Sequence, residues 1–464
     1  MDITKFKRCL FEAAREAGFE EFEVFAPSSD SFSVRIFQGE VQEFKNAHSS
    51  GVAFRGRIGG RMGYASSEQL SEGAVGFILE KAKENAALLS DEADTEPLYN
   101  GNTNYPDVDT YEPELGQVSS AEKCDMARSL EKAVLAADER VVSVDAAVLG
   151  TAESRLVIAN SLGLDVEQSS SIAFAYVMVR VQEVGGEPKI GMEAWGGRSL
   201  KGFSPQALAR EAVDKALAQL GAVKPQSGLH RVVFNNETAS DLFAAFAPNF
   251  YAENVQKGFS LMAGMQGQRI ASEKLTIRDD GYLKDCKAPE GEGLGWKLGS
   301  NAFDSEGVAT RNKAIVAHGR LESFLYNLKA AAREGVEPTG NGVRRGLGGA
   351  ITTGCGMFYV EPSSTSFDEV VDMAENGILI TSLMGLHSGT NVVSGEFSLQ
   401  ASGFLIKDGR VGMPLEQMVV SGNFYSLIND IVEVGNDLDF DIPSSEGTFG
   451  APSILVSSLP IAGA

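Results

Sequence analysis

The sequence holds 464 residues, with 63 acidic against 40 basic side chains and a formal net charge of −23. A chain this acidic repels phosphates instead of neutralising them, which argues against direct nucleic-acid binding. It also exceeds the roughly 250–300 residues at which one hydrophobic core stops growing, so two or three packed units are expected.

A helix opens the chain: Phe6, Cys9, Leu10, Ala13, Ala14 and Ala17 share one face, and Gly18 stops it. The period then changes to two at Phe22 and Val24, at Phe32, Val34 and Ile36, and at Val52 and Phe54, with a hairpin turn at Gly59-Gly60. A second helix is predicted from an N-cap near Ser67, carrying Leu70, Ala74, Phe77 and Ile78. Residues 90–116 are acidic, rich in Pro, Asn and Gly, and read as a linker. The grammar then repeats. A helix over about Ser120 to Ala137 is followed by alternation at Val142, Val144, Ala146 and Val148, a strand pair around Asn160–Gly163, a long hairpin turning at Gly185-Gly186, and a helix opened by Ser204-Pro205.

Residues 1–90 and 117–222 therefore read as two α+β units, each helix, antiparallel strands, helix. Residues 228–464 read as a β-rich C-terminal domain, with helices near Glu237–Phe246, Ser366–Asn376 and Tyr425–Val432. The absence of βαβ alternation predicts an α+β fold. The first residues lack the apolar core of a secretory signal, and no run of about 18 apolar residues occurs, so no membrane span and a cytoplasmic location are expected. Cys9, Cys124, Cys286 and Cys355 lack C-x-x-C spacing and read as free thiols.

Few residues form a chemical constellation. His48, His230, His318 and His387 stand far apart, with no second ligand one helical turn away. There is no G-x-S-x-G. Asp437, Asp439 and Asp441 alternate like a calcium loop, but Ile442 and Thr448 stand where Gly and Glu are required, so solvated acids on a strand are expected. Gly291–Gly299 lacks the G-K-[ST] of a phosphate loop. Pro338–Arg344 (PTGNGVR) is a close-approach turn. It either supports a hairpin or presents Asn341, Arg344 and Arg345 to a substrate or partner.

Five ordered blocks carry a resemblance: FDSEGVATR (Phe303–Arg311), HGRLESFLYN (His318–Asn327), PTGNGVR, Asn391–Val411 and Val420–Leu438. They are similar to the motifs of the TldD/PmbA family, described as modulators of DNA gyrase, and Pro452–Gly463 resembles the end of its PmbA (TldE-like) branch. In that family the TldD-type subunit resembles a zinc metalloprotease, with a helix bearing H-E-x-x-x-H and a Cys near the C-terminus. The matching stretch here is Leu242–Gly258, and the register puts Phe243, Ala244 and Pro248 at the His, Glu and His positions. Pro248 would also shorten the helix, and Asp441–Gly450 contains no Cys.

The resemblance thus implies a PmbA/TldE-type subunit that is catalytically inactive alone, with no cofactor in this chain and zinc only in a TldD-type partner. It implies a complex that trims unfolded peptides, with an indirect effect on gyrase. A homodimeric, non-proteolytic binding or scaffold protein acting on gyrase or a toxin–antitoxin system is the alternative.

Overall fold

The computed structural model describes residues 1–88, 96–101, 103–283 and 298–463. Cys286 and most of the Gly291–Gly299 segment lie outside the described residues, as does the start of the expected linker.

The first part of the chain forms α1 (Ile3–Glu16), β1 (Glu21–Phe37), β2 (Glu40–Ser50), β3 (Val52–Ile58), β4 (Arg61–Ser67) and α2 (Glu72–Ala87). The next forms α3 (Ser120–Ala137), β5 (Val141–Asn160), β6 (Asp165–Val181), β7 (Lys189–Gly197) and α4 (Pro205–Leu217). Ser119 and Ser204 cap α3 and α4 through their side chains. The start expected near Ser67 is corrected: Ser67 ends β4, and Ser71 caps α2 by accepting the Ala74 N–H at 3.3 Å.

The two stretches share one sheet, ordered β4-β3-β1-β5-β6-β7 with β2 also on β1. Its centre is the antiparallel β1–β5 pair, which runs from Glu23↔Asn160 to Ile36↔Ala147. All four helices cover one face, because on the central strand β1 the residues they bury, Phe22, Val24, Phe32, Val34 and Ile36, keep one parity. Phe6, Leu10 and Ala14 bury against Phe22, Val24 and Phe54, while Leu130 and Val213 bury against Val34, Ile36 and Val177. A glycine at each flank admits its helix. A Cβ on Gly63 of β4 would lie 1.9 Å from the Ala82 carbonyl of α2, and one on Gly191 of β7 would lie 2.0 Å from that of Ala212 in α4. The opposite face carries Phe25, Ala53 and Ile158 against Phe303 of the C-terminal part.

That part begins with β8 (Gly228–Phe234), α5 (Asn236–Phe246), α6 (Ala252–Gln256), β9 (Ile277–Asp280), β10 (Lys313–Ala317), β11 (Arg320–Leu321) and α7 (Leu328–Glu334). It continues with β12 (Gly342–Arg344), β13 (Ile351–Thr353), β14 (Met357–Val360), α8 (Phe367–Ala374), β15 (Gly377–Met384), α9 (Leu386–Gly389), β16 (Glu396–Lys407) and β17 (Arg410–Asn423). It ends with α10 (Phe424–Leu427), β18 (Ile431–Val434), β19 (Asp439–Phe440), β20 (Thr448–Ala451) and β21 (Ile454–Gly463). The helix expected over Tyr425–Val432 is one turn only, because Ile431 already pairs with Val456 in a sheet.

Two sheets result, β17-β16-β15-β8-β21-β18 and β11-β10-β9-β14-β20-β19, with β12–β13 as a separate ribbon. Apart from the parallel pairs β8–β15 and β14–β20, the strand pairings are antiparallel among the described residues. The architecture is α+β, as expected. Helix α5 touches β15 and β8 of one sheet and β20, β19 and β14 of the other, at the centre of the largest core.

Candidate functional site

The metal-site positions lie in α5 and the turn that follows it. Asn235 caps the helix by accepting the Thr238 N–H at 3.0 Å, and Leu242, Phe243 and Phe246 point into the core. The α-helix ends at Phe246, and Pro248 sits in a tighter 3-10 turn over Ala247–Phe250. Phe243 is 2% exposed, with its ring edge-on to Phe424 at 5.7 Å. Phe246 stacks on the same ring at 4.5 Å. Ala244 and Pro248 are half-buried.

A catalytic zinc needs three nitrogen, sulfur or oxygen ligands and an open position for water. The side chains present here are hydrocarbon, and among the described residues no group of three His, Cys, Asp or Glu side chains could hold a metal. The residues at these positions therefore do not fit a zinc ion.

The acids of the tail correct one expectation, because only Asp439 is exposed. Asp437 accepts the Ser453 N–H at 2.9 Å and its hydroxyl at 2.6 Å, and Asp441 accepts the Ser240 hydroxyl of α5 at 2.9 Å. Burial, together with the charge of Asp441, raises the Asp241 carboxyl to about 7. Burial and nearby acids raise Asp441 to about 6.

The PTGNGVR turn is a close approach, as expected: a Cβ on Gly340, at φ +74°, would lie 2.7 Å from the Ala309 carbonyl. It sorts its three candidates into different surroundings. Asn341 is 2% exposed, and its amide donates to Asp279 at 3.1 Å and to the Gly354 carbonyl at 2.9 Å, bracing the β12–β13 ribbon from inside. Arg345 is exposed and pairs with Glu446. Arg344 is half-buried, with its guanidinium 4.8 Å from the centroid of the Phe25 ring.

Arg344 borders a cleft of about 590 Å³ between β3, β4 and α2 on one side and the loop Arg345–Ala350 on the other. Beside it lies a buried ionic cluster that the sequence reading did not find. Arg55 is 2% exposed; its Nε donates to Glu23 at 2.8 Å, and its Nη1 lies 3.8 Å from Glu96 and 4.0 Å from Glu306. Glu96 also accepts from the Tyr64 hydroxyl and lies 3.4 Å from Lys329. Glu306 accepts the Leu328 N–H at 2.7 Å. It fits because Gly342 lacks a Cβ, which would come within 2.6 Å of its carboxylate.

Burial and the neighbouring Asp304 push the Glu306 carboxyl up. Burial opposes the Arg55 charge, but Glu23 and Glu306 more than compensate and hold it above its ordinary value. Burial, and then Arg55, lowers Arg344. The signal for this cluster was a charged residue in each of two apolar strands, Glu23 in FEVF and Arg55 in VAFRG, which stand directly opposite in the β1–β3 register. Asp304 and Glu306 belong to the FDSEGVATR block.

Three family models match in order: PmbA/TldA metallopeptidase domain 1 over residues 22–86, the central domain over 113–220 and the C-terminal domain over 227–463. The chain belongs to the PmbA/TldD family. The metalloprotease PmbA of Escherichia coli O157:H7 is 25% identical over 95% of this chain and 92% of its own length. A metalloprotease of Methanothermobacter thermautotrophicus is 27% identical over 91% and 89%. Among solved structures, a protein named as a modulator of DNA gyrase from Thermotoga maritima MSB8 superposes with a TM-score of 0.88 at 31% identity, covering 99% of this chain and 100% of that one. TldE from Thermococcus kodakarensis has the same fold, with a TM-score of 0.88 at 23% identity and coverage of 99% and 100%. Among the described residues of this PmbA/TldD member, no helix is long and apolar enough to cross a membrane.

Proposed function

We propose that this chain is the non-catalytic, PmbA/TldE-type subunit of a cytoplasmic metalloprotease complex that degrades or trims unfolded peptides, with zinc carried by a TldD-type partner. The observation that supports this most is the filling of the metal-site positions: Phe243 is fixed against Phe424, and Pro248 lies beyond the end of the α-helix. Hydrolysis needs a ligand-bound metal and a base to activate water, and neither Phe nor Ala supplies one. The relatives named as metalloproteases support the peptide chemistry of the complex.

The test is reconstitution. Peptidase activity on an unfolded peptide is measured for this chain, for a TldD-type subunit bearing H-E-x-x-x-H, and for the mixture, each with and without a chelator. The mixture should cleave, the chelator should stop it, and this chain alone should neither cleave nor contain stoichiometric zinc by elemental analysis. Cleavage or stoichiometric zinc in the isolated chain would overturn the reading. A stable homodimer that captures targets and gives no cleavage with the partner would replace it with the scaffold alternative.

A further inference from the structure

We infer that the cleft beside Arg344 binds the carboxylate of an extended peptide, with the Arg344 guanidinium as its recognition group. This rests on the peptide-handling reading above.

The first observation is an incomplete set of partners. The Nε of Arg344 is buried with no hydrogen-bond partner among the described residues, and no ion pair to its guanidinium forms among them. What the protein provides is the face of Phe25, at 4.8 Å. That cation–π contact uses none of the guanidinium N–H donors, which find no partner among the described residues. Glu23 and Glu306 act on Arg344 only from a distance, and a partly buried guanidinium with no carboxylate in contact is costly; a carboxylate that meets its donors reduces that cost.

The second observation is the charge around it. Arg55 already has Glu23, and Glu96 is shared by Arg55, Tyr64 and Lys329, so these acids are engaged elsewhere. Lys81, also in the cleft wall, pairs with Glu84 at 2.6 Å. Among the described residues, Arg344 is thus the cation of this wall left for a ligand. Glu96 in the same wall opposes a doubly charged phosphate more than a singly charged carboxylate.

The third observation is space and lining. About 590 Å³ exceeds what one small ion fills and lies within the range of small-molecule sites. Phe77 and Leu347 in the wall offer apolar surface to the side chains next to the carboxylate. The source of that carboxylate is a peptide C-terminus or an acidic side chain, and the two are separable.

The isolated chain is titrated against three fluorescently labelled apolar pentapeptides, followed by anisotropy. One has a free C-terminal acid, one a C-terminal amide, and one an amide with Glu at the last position. The free acid, the Glu peptide, or both should bind about ten- to a hundred-fold more tightly than the plain amide, and which one does so identifies the source. Arg344→Met should abolish the preference and Arg344→Lys should retain part of it. Gly348→Glu places a rival carboxylate at the exposed rim, where a Cβ meets nothing closer than 3.8 Å, and should weaken acid binding without touching the interior. Equal binding of all three peptides, no binding of any, or a preference that survives Arg344→Met and Gly348→Glu would overturn the inference. Partner-dependent cleavage is scored separately. Cleavage without carboxylate preference leaves the subunit role standing and removes this site; preference without cleavage does the reverse.

Discussion

Two interiors in this molecule are built on opposite chemistry. Around α5, Phe243, Phe246 and Phe424 fill the volume with rings whose packing needs no counter-charge. Around Arg55, each group depends on a charge delivered by another segment: Glu23 from β1, Glu96 from the stretch before α3, and Glu306 from the C-terminal part. The aromatic interior is self-sufficient and closed. The ionic one adjoins an open cleft and responds to what enters it. At the positions where a TldD-type subunit is expected to hold metal, this chain packs rings; in strands β1 and β3, whose neighbours are apolar, it holds charge.

The largest expected effects test this contrast directly. Glu23→Ala leaves Arg55 buried without its main partner and should cost about 3–5 kcal/mol, most of it returned by adding Arg55→Met. Phe246→Ala should cost a similar ~3–5 kcal/mol through the cavity it opens, with no loss returned by Arg55→Met. Urea denaturation of the single and double variants measures both. If Arg55→Met fails to rescue Glu23→Ala, the ionic interior is held by packing after all.

A smaller effect comes from the loop that borders the cleft, where it meets the start of β3. A Cβ on Gly51 would lie 2.5 Å from the Leu347 side chain and 3.0 Å from the Ser67 carbonyl, so Gly51→Ala should cost about 1–3 kcal/mol and displace the Arg345–Ala350 loop. Thermal melting, with hydrogen exchange of that loop, reads both consequences.

The smallest effect belongs to the tail carboxyls. Asp441 is raised to about 6 and Asp241 to about 7, against roughly 3.9 for an unfolded Asp. The folded protein therefore holds protons that the unfolded chain releases. The corresponding stability is full below about pH 4 and is lost as pH rises toward 7. Asp441→Asn, which keeps an acceptor for Ser240, should flatten that fall and gain on the order of 1 kcal/mol at pH 8. Melting curves at pH 5 and pH 8 give the comparison.

Local grammar was legible in the sequence because it is set within a few residues. The apolar stripe through Phe6, Leu10 and Ala14, the Ser204-Pro205 helix start and the stop at Pro248 all stand as read. The N-cap of α2 was misplaced from Ser71 to Ser67 because two serines near a helix start carry the same local signal. Long-range partnership was not legible. Nothing local to β1 announces that it pairs with β5 and joins two similar stretches in one sheet. Asn341 and Arg344 stand in one turn, and only the tertiary structure sends one inward to Asp279 and the other to the face of Phe25. The Glu23–Arg55 pair needed the strand register, which sequence periodicity leaves open.

The same strand connectivity governs how the protein is made. β21 pairs with β8 and with both β17 and β18, so β8, where the C-terminal part begins, has an open side until β21 is synthesised. Likewise β1 waits for β5. Pairings this distant in sequence are slow to form and leave strand edges uncovered in the interim. The growing chain thus carries an uncovered edge on β8 until Ile454–Gly463 has been made, however much of the intervening sequence is already folded.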